Sequence, residues 1–144
     1  MPEYHGSCLC KAVQVSAQVE KPELSTCHCE SCRKWCTGPF MAFEAKHVDL
    51  EPKEKVTHYA SSDIAKRTFC KSCGTSLSFY YNNMKQICVN PWIFENVQGI
   101  TSNVEVCYDN KPDCYSFAND TKKYTEAETM AMVDTIPEYL PYQN

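Results

Sequence analysis

Short runs in which apolar and polar residues alternate recur along most of the chain. Between Ala12 and Val19, apolar residues occupy every second position and alternate with Gln14, Ser16 and Gln18. Because successive side chains of a strand point to opposite faces, this pattern predicts a half-buried β-strand. Shorter runs separated by turn residues predict further strands at 40–43, 55–60, 67–70, 76–81, 86–90 and 103–108.

Only one segment, residues 125–133, has a helical pattern. Thr125 can cap its first turn, Glu128 can reach back to complete a capping box, and Pro137 lies beyond its end. No internal repeat, low-complexity tract or linker interrupts the sequence. The expected architecture is therefore all-β with a minor helix, in a single domain over residues 1–144.

Composition narrows the class of protein. The 144 residues suffice for an apolar core, and a net charge of −4 argues against nucleic acid or an anionic membrane as a partner. The first ten residues lack the apolar stretch of a signal peptide, and no run approaches the length of a membrane span. Eleven cysteines without an export signal favour the cytoplasm, and metal-bound or free thiols over disulfides. The expected partners are small molecules or proteins.

Seven of the eleven cysteines lie in three short clusters, which are Cys8 with Cys10, Cys27 with Cys29 and Cys32, and Cys70 with Cys73. In a tetrahedral zinc site the sulfurs lie about 2.3 Å from the metal and hence roughly 3.8 Å from each other, and such short loops bring cysteines together at little entropic cost. Seven ligands divide into four and three, as a closed structural site and a catalytic site with an open position do. We therefore expect up to two zinc ions per chain.

The cluster at Cys70 and Cys73 is typical of a zinc knuckle, because the following Gly74 can take the positive φ that turns backbone N–H groups toward the sulfurs. Cys8 and Cys10 are two residues apart on a segment expected to be extended, so they point to the same side and can complete a four-thiolate structural site. Such a site would tie the amino terminus to the middle of the chain.

Cys27, Cys29 and Cys32 leave a tetrahedral metal one position for water or a substrate sulfur, and they are the expected catalytic ligands. Side-chain alternation turns His28 away from a metal held by its neighbours, so a role in supporting the metal ligands or in packing is expected for it. Cys36, four residues beyond Cys32, is expected to be a free thiol. A redox partner or a fourth ligand are the alternatives for Cys36.

Together these motifs resemble the glutathione-dependent formaldehyde-activating family, also called the centromere-protein-V-like domain. The resemblance covers residues 4–118 and includes Gly6, Pro39 with Phe40, and Phe69, whereas 119–144 form a C-terminal extension with the short helix. It implies the folded-tent β architecture shared with a Rab accessory protein and with methionine-R-sulfoxide reductases, built around a structural zinc. The implied ligands are Cys8, Cys10, Cys70 and Cys73 for the structural zinc, and Cys27, Cys29 and Cys32 for a catalytic zinc.

The family's namesake joins formaldehyde to glutathione and forms S-(hydroxymethyl)glutathione. The resemblance thus implies a zinc-dependent carbon–sulfur lyase acting on a glutathione or other small-thiol adduct. Two departures from the family pattern bear on the substrate: Thr37 stands where glycine is usual, and Cys114 stands where a tryptophan is usual. A non-enzymatic zinc-stabilised interaction module and a thiol redox protein using Cys36 are the alternative functions.

Glutathione carries two carboxylates, for which the cationic residues near the clusters are candidate anchors; these are Arg33, Lys34, Lys66 and Arg67. Solvated surface charges are the simpler expectation for all four. The aromatic residues that can line a pocket, or belong to the ordinary core, are Trp35, Phe40, Phe43, Phe79 and Trp92. Cys88 and Cys107 lie in strand-like runs and are expected to be buried.

Overall fold

The computed structural model describes residues 1–83 and 86–135, whose strands form two sheets. The smaller sheet contains β1 (Glu3–Ser7), β2 (Gln14–Gln18) and β5 (His47–Glu51), paired antiparallel in the order β1-β2-β5. The alternation predicted around β2 is confirmed, because every second residue from Val13 to Val19 is buried while the two glutamines between them are exposed.

The larger sheet has eight strands. In chain order they are β3 (Glu23–Cys27), β4 (Phe40–Ala45), β6 (Val56–Ala60), β7 (Ala65–Cys70), β8 (Ser76–Tyr81), β9 (Ile87–Val89), β10 (Thr101–Val106) and β11 (Lys122–Lys123). Their spatial order is β11-β10-β3-β4-β9-β8-β7-β6. β10 runs parallel to β3 and β11, and the other neighbours are antiparallel.

The two faces of the larger sheet have different roles. In β4, Phe43 and Ala45 are fully buried in the main core, which also contains the valines of β2. Because side chains alternate along a strand, Phe40, Ala42 and Glu44 of β4 point to the opposite face, where they line a cavity. One face of this sheet therefore contributes to the main core while the other is available for a site.

The described part of the chain contains two helices, α1 (Glu30–Cys36) and α2 (Glu126–Thr135), and three short 3-10 turns at Lys53–Lys55, Pro91–Ile93 and Tyr108–Asn110. The predicted capping box of α2 is confirmed. The N–H of Glu128 donates to Thr125 Oγ1 at 3.2 Å, and the N–H of Thr125 donates to Glu128 Oε1 at 2.9 Å. Pro137, expected beyond this helix, lies outside the described residues. Within the described ranges, no helix combines the length and apolarity needed to cross a membrane.

The all-β class is confirmed, but the prediction of a single helix is wrong, since the seven residues of α1 are too few to show a helical period. The predicted strand over 103–108 is wrong at its end, because Cys107 adopts a left-handed φ of 49° and Tyr108 opens a 3-10 turn. The prediction of an extended segment from Cys8 to Cys10 is wrong too, because these residues belong to the connection between β1 and β2 and contain a turn. Sequence patterning also misses β1, β3, β5 and β11.

Candidate metal centres and active site

The structure brings Cys8, Cys10, Cys70 and Cys73 into one group, here called the four-cysteine group, whose sulfurs all lie within 4.8 Å of one another. The Sγ atoms of Cys8 and Cys10 are 3.7 Å apart, and those of Cys10 and Cys70 are 3.8 Å apart. These separations match the roughly 3.8 Å between sulfur ligands of a tetrahedral zinc ion. The group can therefore hold a metal ion.

Backbone turns direct two of these sulfurs. The N–H of Val13 donates to Cys8 Sγ at 3.3 Å, and the N–H of Cys73 donates to Cys70 Sγ at 3.5 Å. Gly74 has a φ of 79°, and its N–H donates to the carbonyl of Cys70 at 2.8 Å, which closes the knuckle turn. The group connects the two sheets, because Cys8 and Cys10 follow β1 of the smaller sheet, whereas Cys70 ends β7 of the larger sheet and Cys73 lies between β7 and β8.

Thr75 links the two halves of the four-cysteine group. Its hydroxyl accepts the N–H of Leu9 at 3.1 Å and lies 3.1 Å from Cys73 Sγ. Hydrogen bonds from the side chain and backbone of Thr75 lower the pKa of Cys73 to about 5. A thiol that ionises this readily is suited to metal binding, since the thiolate is the ligand.

Cys27, Cys29 and Cys32 form the three-cysteine group, whose sulfurs likewise lie within 4.8 Å of one another. Cys27 ends β3, and Cys29 caps α1 by accepting the N–H of Cys32 on its Sγ at 3.4 Å. Hydrogen bonds from Cys27 and Cys32 lower the pKa of Cys29, whereas hydrogen bonding with Cys107 and Cys29 raises that of Cys27. The hydrogen bonds of the group therefore favour the thiolate form of Cys29.

His28, the residue between Cys27 and Cys29, is anchored by hydrogen bonds of its ring. Its ring is fully buried, with Nε2 2.7 Å from Glu105 Oε1 and Nδ1 2.8 Å from the Tyr115 hydroxyl. Burial raises the pKa of Glu105, but hydrogen bonds from Thr121 and His28 outweigh it, so that the pKa lies below its ordinary value. His28 is thus engaged by a carboxylate and a phenol outside the three-cysteine group.

The three-cysteine group opens on a cavity of about 780 Å³, a size typical of small-molecule sites. The strands of the larger sheet line it with Phe40, Ala42, Glu44, Arg67, Phe79, Tyr81, Cys88, Val104 and Val106. Helix α2 adds a wall through Thr129, Met130, Met132 and Val133. None of the four-cysteine group lines this cavity, so of the two groups the three-cysteine group is the one that borders it.

Arg67 is buried at this cavity with 2 % of its surface exposed. Its Nη2 donates to Cys32 Sγ at 3.5 Å, and its guanidinium carbon lies 5.0 Å from the ring centroid of Phe79, 5.5 Å from that of Trp35 and 5.7 Å from that of Phe40. The expectation of a solvated surface charge is wrong for Arg67, because β7 turns its side chain toward the cavity.

The other predicted anchors lie elsewhere. Arg33 donates from Nε to the carbonyl of His28 at 2.9 Å, and Lys34 is exposed. Lys66 is half-buried, and like Arg33 and Lys34 it is absent from the cavity lining. Arg67 is therefore the predicted anchor that the structure places at the three-cysteine group.

The predicted pocket aromatics divide in the same way. Phe40 and Phe79 line the cavity, whereas Phe43 is fully buried in the main core. Trp92 is 61 % exposed and Trp35 packs behind Arg67. Only the two phenylalanines thus form part of the candidate site surface.

Further thiols surround the three-cysteine group, and none of the eleven cysteines forms a disulfide. Cys36 donates to the carbonyls of Cys32 at 3.0 Å and Gly38 at 3.2 Å, and it stays outside the group. The prediction that Cys88 is buried is wrong, since it is half-buried and lines the cavity. Cys107 is buried as predicted. The spacing of the cysteines does not predict that Cys107 lies near Cys27, because this position depends on the left-handed backbone of Cys107.

Thr37 explains one departure from the family pattern. It ends α1 with a φ of 71°, a left-handed conformation that glycine adopts without steric cost and a β-branched residue does not. The other departure, Cys114, is exposed.

Comparisons with known proteins identify the family of this chain. A profile of the family described as glutathione-dependent formaldehyde-activating enzyme matches residues 3–110, which contain both cysteine groups but not α2. An uncharacterized lyase of Schizosaccharomyces pombe is 50% identical over 135 residues, covering 92% of this chain and 98% of the relative. A crystal structure of a Rhodobacter sphaeroides protein has a TM-score of 0.54, covers 69% of this chain and 99% of its own, and is 23% identical, a likeness of fold alone.

The family and the relative support a lyase-like function. The chain belongs to the glutathione-dependent formaldehyde-activating enzyme family.

Proposed function

We propose that this protein is a zinc-dependent carbon–sulfur lyase that joins a small thiol, glutathione in the first place, to formaldehyde or a related small aldehyde. The observation that carries the proposal is the opening of the three-cysteine group on a cavity of about 780 Å³. The lyase class follows from the family and from the relative in Schizosaccharomyces pombe. The metal, the thiol and the aldehyde are the proposed part.

The proposed metal ligands are Cys8, Cys10, Cys70 and Cys73 for a structural zinc, and Cys27, Cys29 and Cys32 for a catalytic zinc. The donor chemistry suits zinc, because all proposed ligands are sulfur, and in the four-cysteine group the separations of 3.7 and 3.8 Å fit tetrahedral binding. Bound to three thiolates, zinc has one open position at which a small thiol would ionise at neutral pH. A metal bound at the four-cysteine group would join the two sheets, which fits the folded-tent architecture that we propose for a single domain.

The proposed reaction is an addition. The thiol sulfur attacks the carbonyl carbon, a carbon–sulfur bond forms, the carbon–oxygen double bond becomes single, and the proton lost by the thiol ends on the oxygen. No oxidant or reductant is consumed. The enzyme's contribution is to hold both reactants together in one cavity, which makes the encounter effectively unimolecular.

The surrounding residues would keep this cavity in shape. Phe40 and Phe79 give it an apolar lining beside Cys32, which limits the water that competes for the aldehyde. His28 and Glu105 fix the loop that presents Cys27 and Cys29. Such buried support behind metal ligands sets their orientation.

The test is to follow exchange between free formaldehyde and glutathione by NMR, with and without the zinc-loaded protein, and to subtract the uncatalysed exchange. We expect acceleration by the wild type, none by Cys32→Ser, and wild-type acceleration by Cys114→Ser, which alters an exposed thiol. A wild type that holds two zinc ions but gives no acceleration would remove the namesake reaction and favour the non-enzymatic interaction module.

A further inference from the structure

Arg67 carries a buried hydrogen-bonding group with no partner. Arg67 is only 2 % exposed, and its Nη1 is buried but makes no hydrogen bond within the described residues. A buried N–H of a charged group left without an acceptor costs folding free energy, and native proteins rarely keep one without a function. The position of this N–H therefore indicates a ligand that is bound during function.

The rest of the guanidinium is already held. Nη2 donates to Cys32 Sγ at 3.5 Å, and the rings of Trp35, Phe40 and Phe79 lie around the guanidinium carbon at 5.0 to 5.7 Å. Aromatic rings at this distance attract the charge and restrict the planar group to a few orientations. The guanidinium of Arg67, a residue that lines the cavity, is consequently held in a defined place rather than on a mobile side chain.

The distance to Cys32 limits what the acceptor can be. Both terminal nitrogens belong to one rigid guanidinium, and a hydrogen bond spans roughly 3 Å. An acceptor of Nη1 therefore lies close to the three-cysteine group. In a thiol–aldehyde adduct the oxygen is separated from the sulfur by a single carbon, whereas the carboxylates of glutathione lie many bonds further along the chain.

We infer that Arg67 is a catalytic residue whose Nη1 binds the substrate oxygen next to the reacting sulfur, in a substrate class of small thiols and thiol adducts that carry an oxygen near the sulfur. This inference rests on the proposed function and deepens it. As the carbon–sulfur bond forms, the two electrons of the carbonyl π bond move to the oxygen, which becomes negative. The guanidinium stabilises that charge without giving up a proton; the oxygen takes a proton from water, and the proton released by the thiol neutralises the hydroxide that remains.

This role predicts a particular kinetic effect. The contact strengthens as charge develops on the oxygen, so its removal should lower kcat more than it raises KM. For Arg67→Ala we expect kcat to fall by about 10²- to 10³-fold, the effect of losing one donor to an oxyanion. Added methylguanidine should restore part of the activity, and Arg67→Lys should keep the fold while recovering only part of kcat, because a lysine lacks the planar fork. Lys66→Ala, on the neighbouring residue outside the cavity lining, is the matched control.

A binding measurement separates this inference from the proposed function. Calorimetry of the zinc-loaded wild type, Arg67→Ala and Arg67→Lys would use thioglycolate, which has oxygens near its sulfur, and ethanethiol, which has none. We expect Arg67→Ala to lose at least about tenfold in affinity for thioglycolate and nothing for ethanethiol. This result would support the role of Arg67 even if the wild type failed to accelerate the formaldehyde reaction, a failure that would count against the proposed function alone.

Two results would overturn the inference. Equal loss of affinity for both thiols, or loss of one zinc equivalent in Arg67→Ala and Arg67→Lys alike, would mean that Arg67 only compensates the charge of the cysteine group. An unchanged kcat with a raised KM for glutathione would mean that Arg67 is an anchor for a distant carboxylate.

Discussion

The two cysteine groups use the same ligand chemistry in opposite surroundings. The four-cysteine group is built from two backbone turns and joins the two sheets, and none of its residues faces the cavity. The three-cysteine group lies where β3 meets α1, borders the cavity, and has Arg67 and Cys107 as neighbours. Metal binding at the first would connect distant parts of the chain, whereas metal binding at the second would present one open position to a substrate.

The number of thiols alone therefore does not distinguish a structural metal site from a catalytic one. Cys107 lies near enough to Cys27 to raise the pKa of Cys27 and is a fourth thiol at the edge of the three-cysteine group, yet it stands outside the set whose sulfurs lie within 4.8 Å of one another. What distinguishes the groups is which elements each one ties together and whether a cavity borders it. Variants that exchange or remove these features test the distinction.

The largest effect is expected from opening the four-cysteine group. Cys73→Ser should lower the free energy of unfolding by several kcal/mol, because the metal that holds the two sheets together would lose a ligand. Urea titration with metal analysis measures both quantities. Cys114→Ser, an exposed cysteine outside both groups, is the control and should behave as the wild type. Wild-type stability in Cys73→Ser would remove the structural role from this group.

Opening the three-cysteine group should have the opposite balance of effects. We expect Cys29→Ser to lose one zinc equivalent and to reduce thiol–aldehyde exchange to its uncatalysed rate. The free energy of unfolding should change by less than about 1 kcal/mol, since this group lies at one cavity wall. Metal content, NMR exchange and urea titration on the same preparation check all three. If Cys29→Ser unfolds as readily as Cys73→Ser, the comparison between the two groups fails.

A smaller effect is expected from the support behind the three-cysteine group. Glu105→Gln keeps the shape of the side chain but removes the charge that faces His28 Nε2 at 2.7 Å. We expect the free energy of unfolding to fall by about 1–3 kcal/mol, because the buried hydrogen bond to His28 loses its charged partner. Metal affinity should fall by about 10- to 100-fold at the three-cysteine group and stay unchanged at the four-cysteine group.

Competition with a zinc-binding dye would measure the two affinities of Glu105→Gln separately. Glu54→Gln, on an exposed residue of the 3-10 turn at Lys53–Lys55, is the matched control. Equal weakening at both groups would show that Glu105 supports the fold in general and not the loop of His28.

Much of this arrangement could be predicted from short-range sequence patterns. Cysteine spacing predicts which thiols can share a metal, and the alternation around β2 and the capping box of α2 predict those elements, because each depends on neighbours within a few residues. Arg67 and Cys107 could not be placed in this way. The side of the sheet to which Arg67 points depends on the pairing of β7, and Cys107 reaches Cys27 only through an unusual left-handed backbone.

The smallest expected effects concern one left-handed residue beside each cysteine group. Gly74, in the knuckle of the four-cysteine group, has a φ of 79°, and Thr37, at the end of the helix that carries Cys32, has a φ of 71°. A side chain in this conformation costs roughly 1–2 kcal/mol. Gly74→Ala should therefore lower the free energy of unfolding by about that amount, although open space surrounds the added carbon.

Thr37→Gly should do the reverse and raise the free energy of unfolding by about 0.5–1 kcal/mol, because the relief of strain exceeds the extra entropy that glycine gives the unfolded chain. Thr37→Ala is the matched control. It keeps a Cβ in the left-handed region and should recover only a small part of the gain, as urea titration would measure. A gain in Thr37→Ala as large as in Thr37→Gly would show that the threonine side chain, and not its φ, is the source of the strain. The backbone explanation for the family's usual glycine would then fail at the three-cysteine group while standing at Gly74.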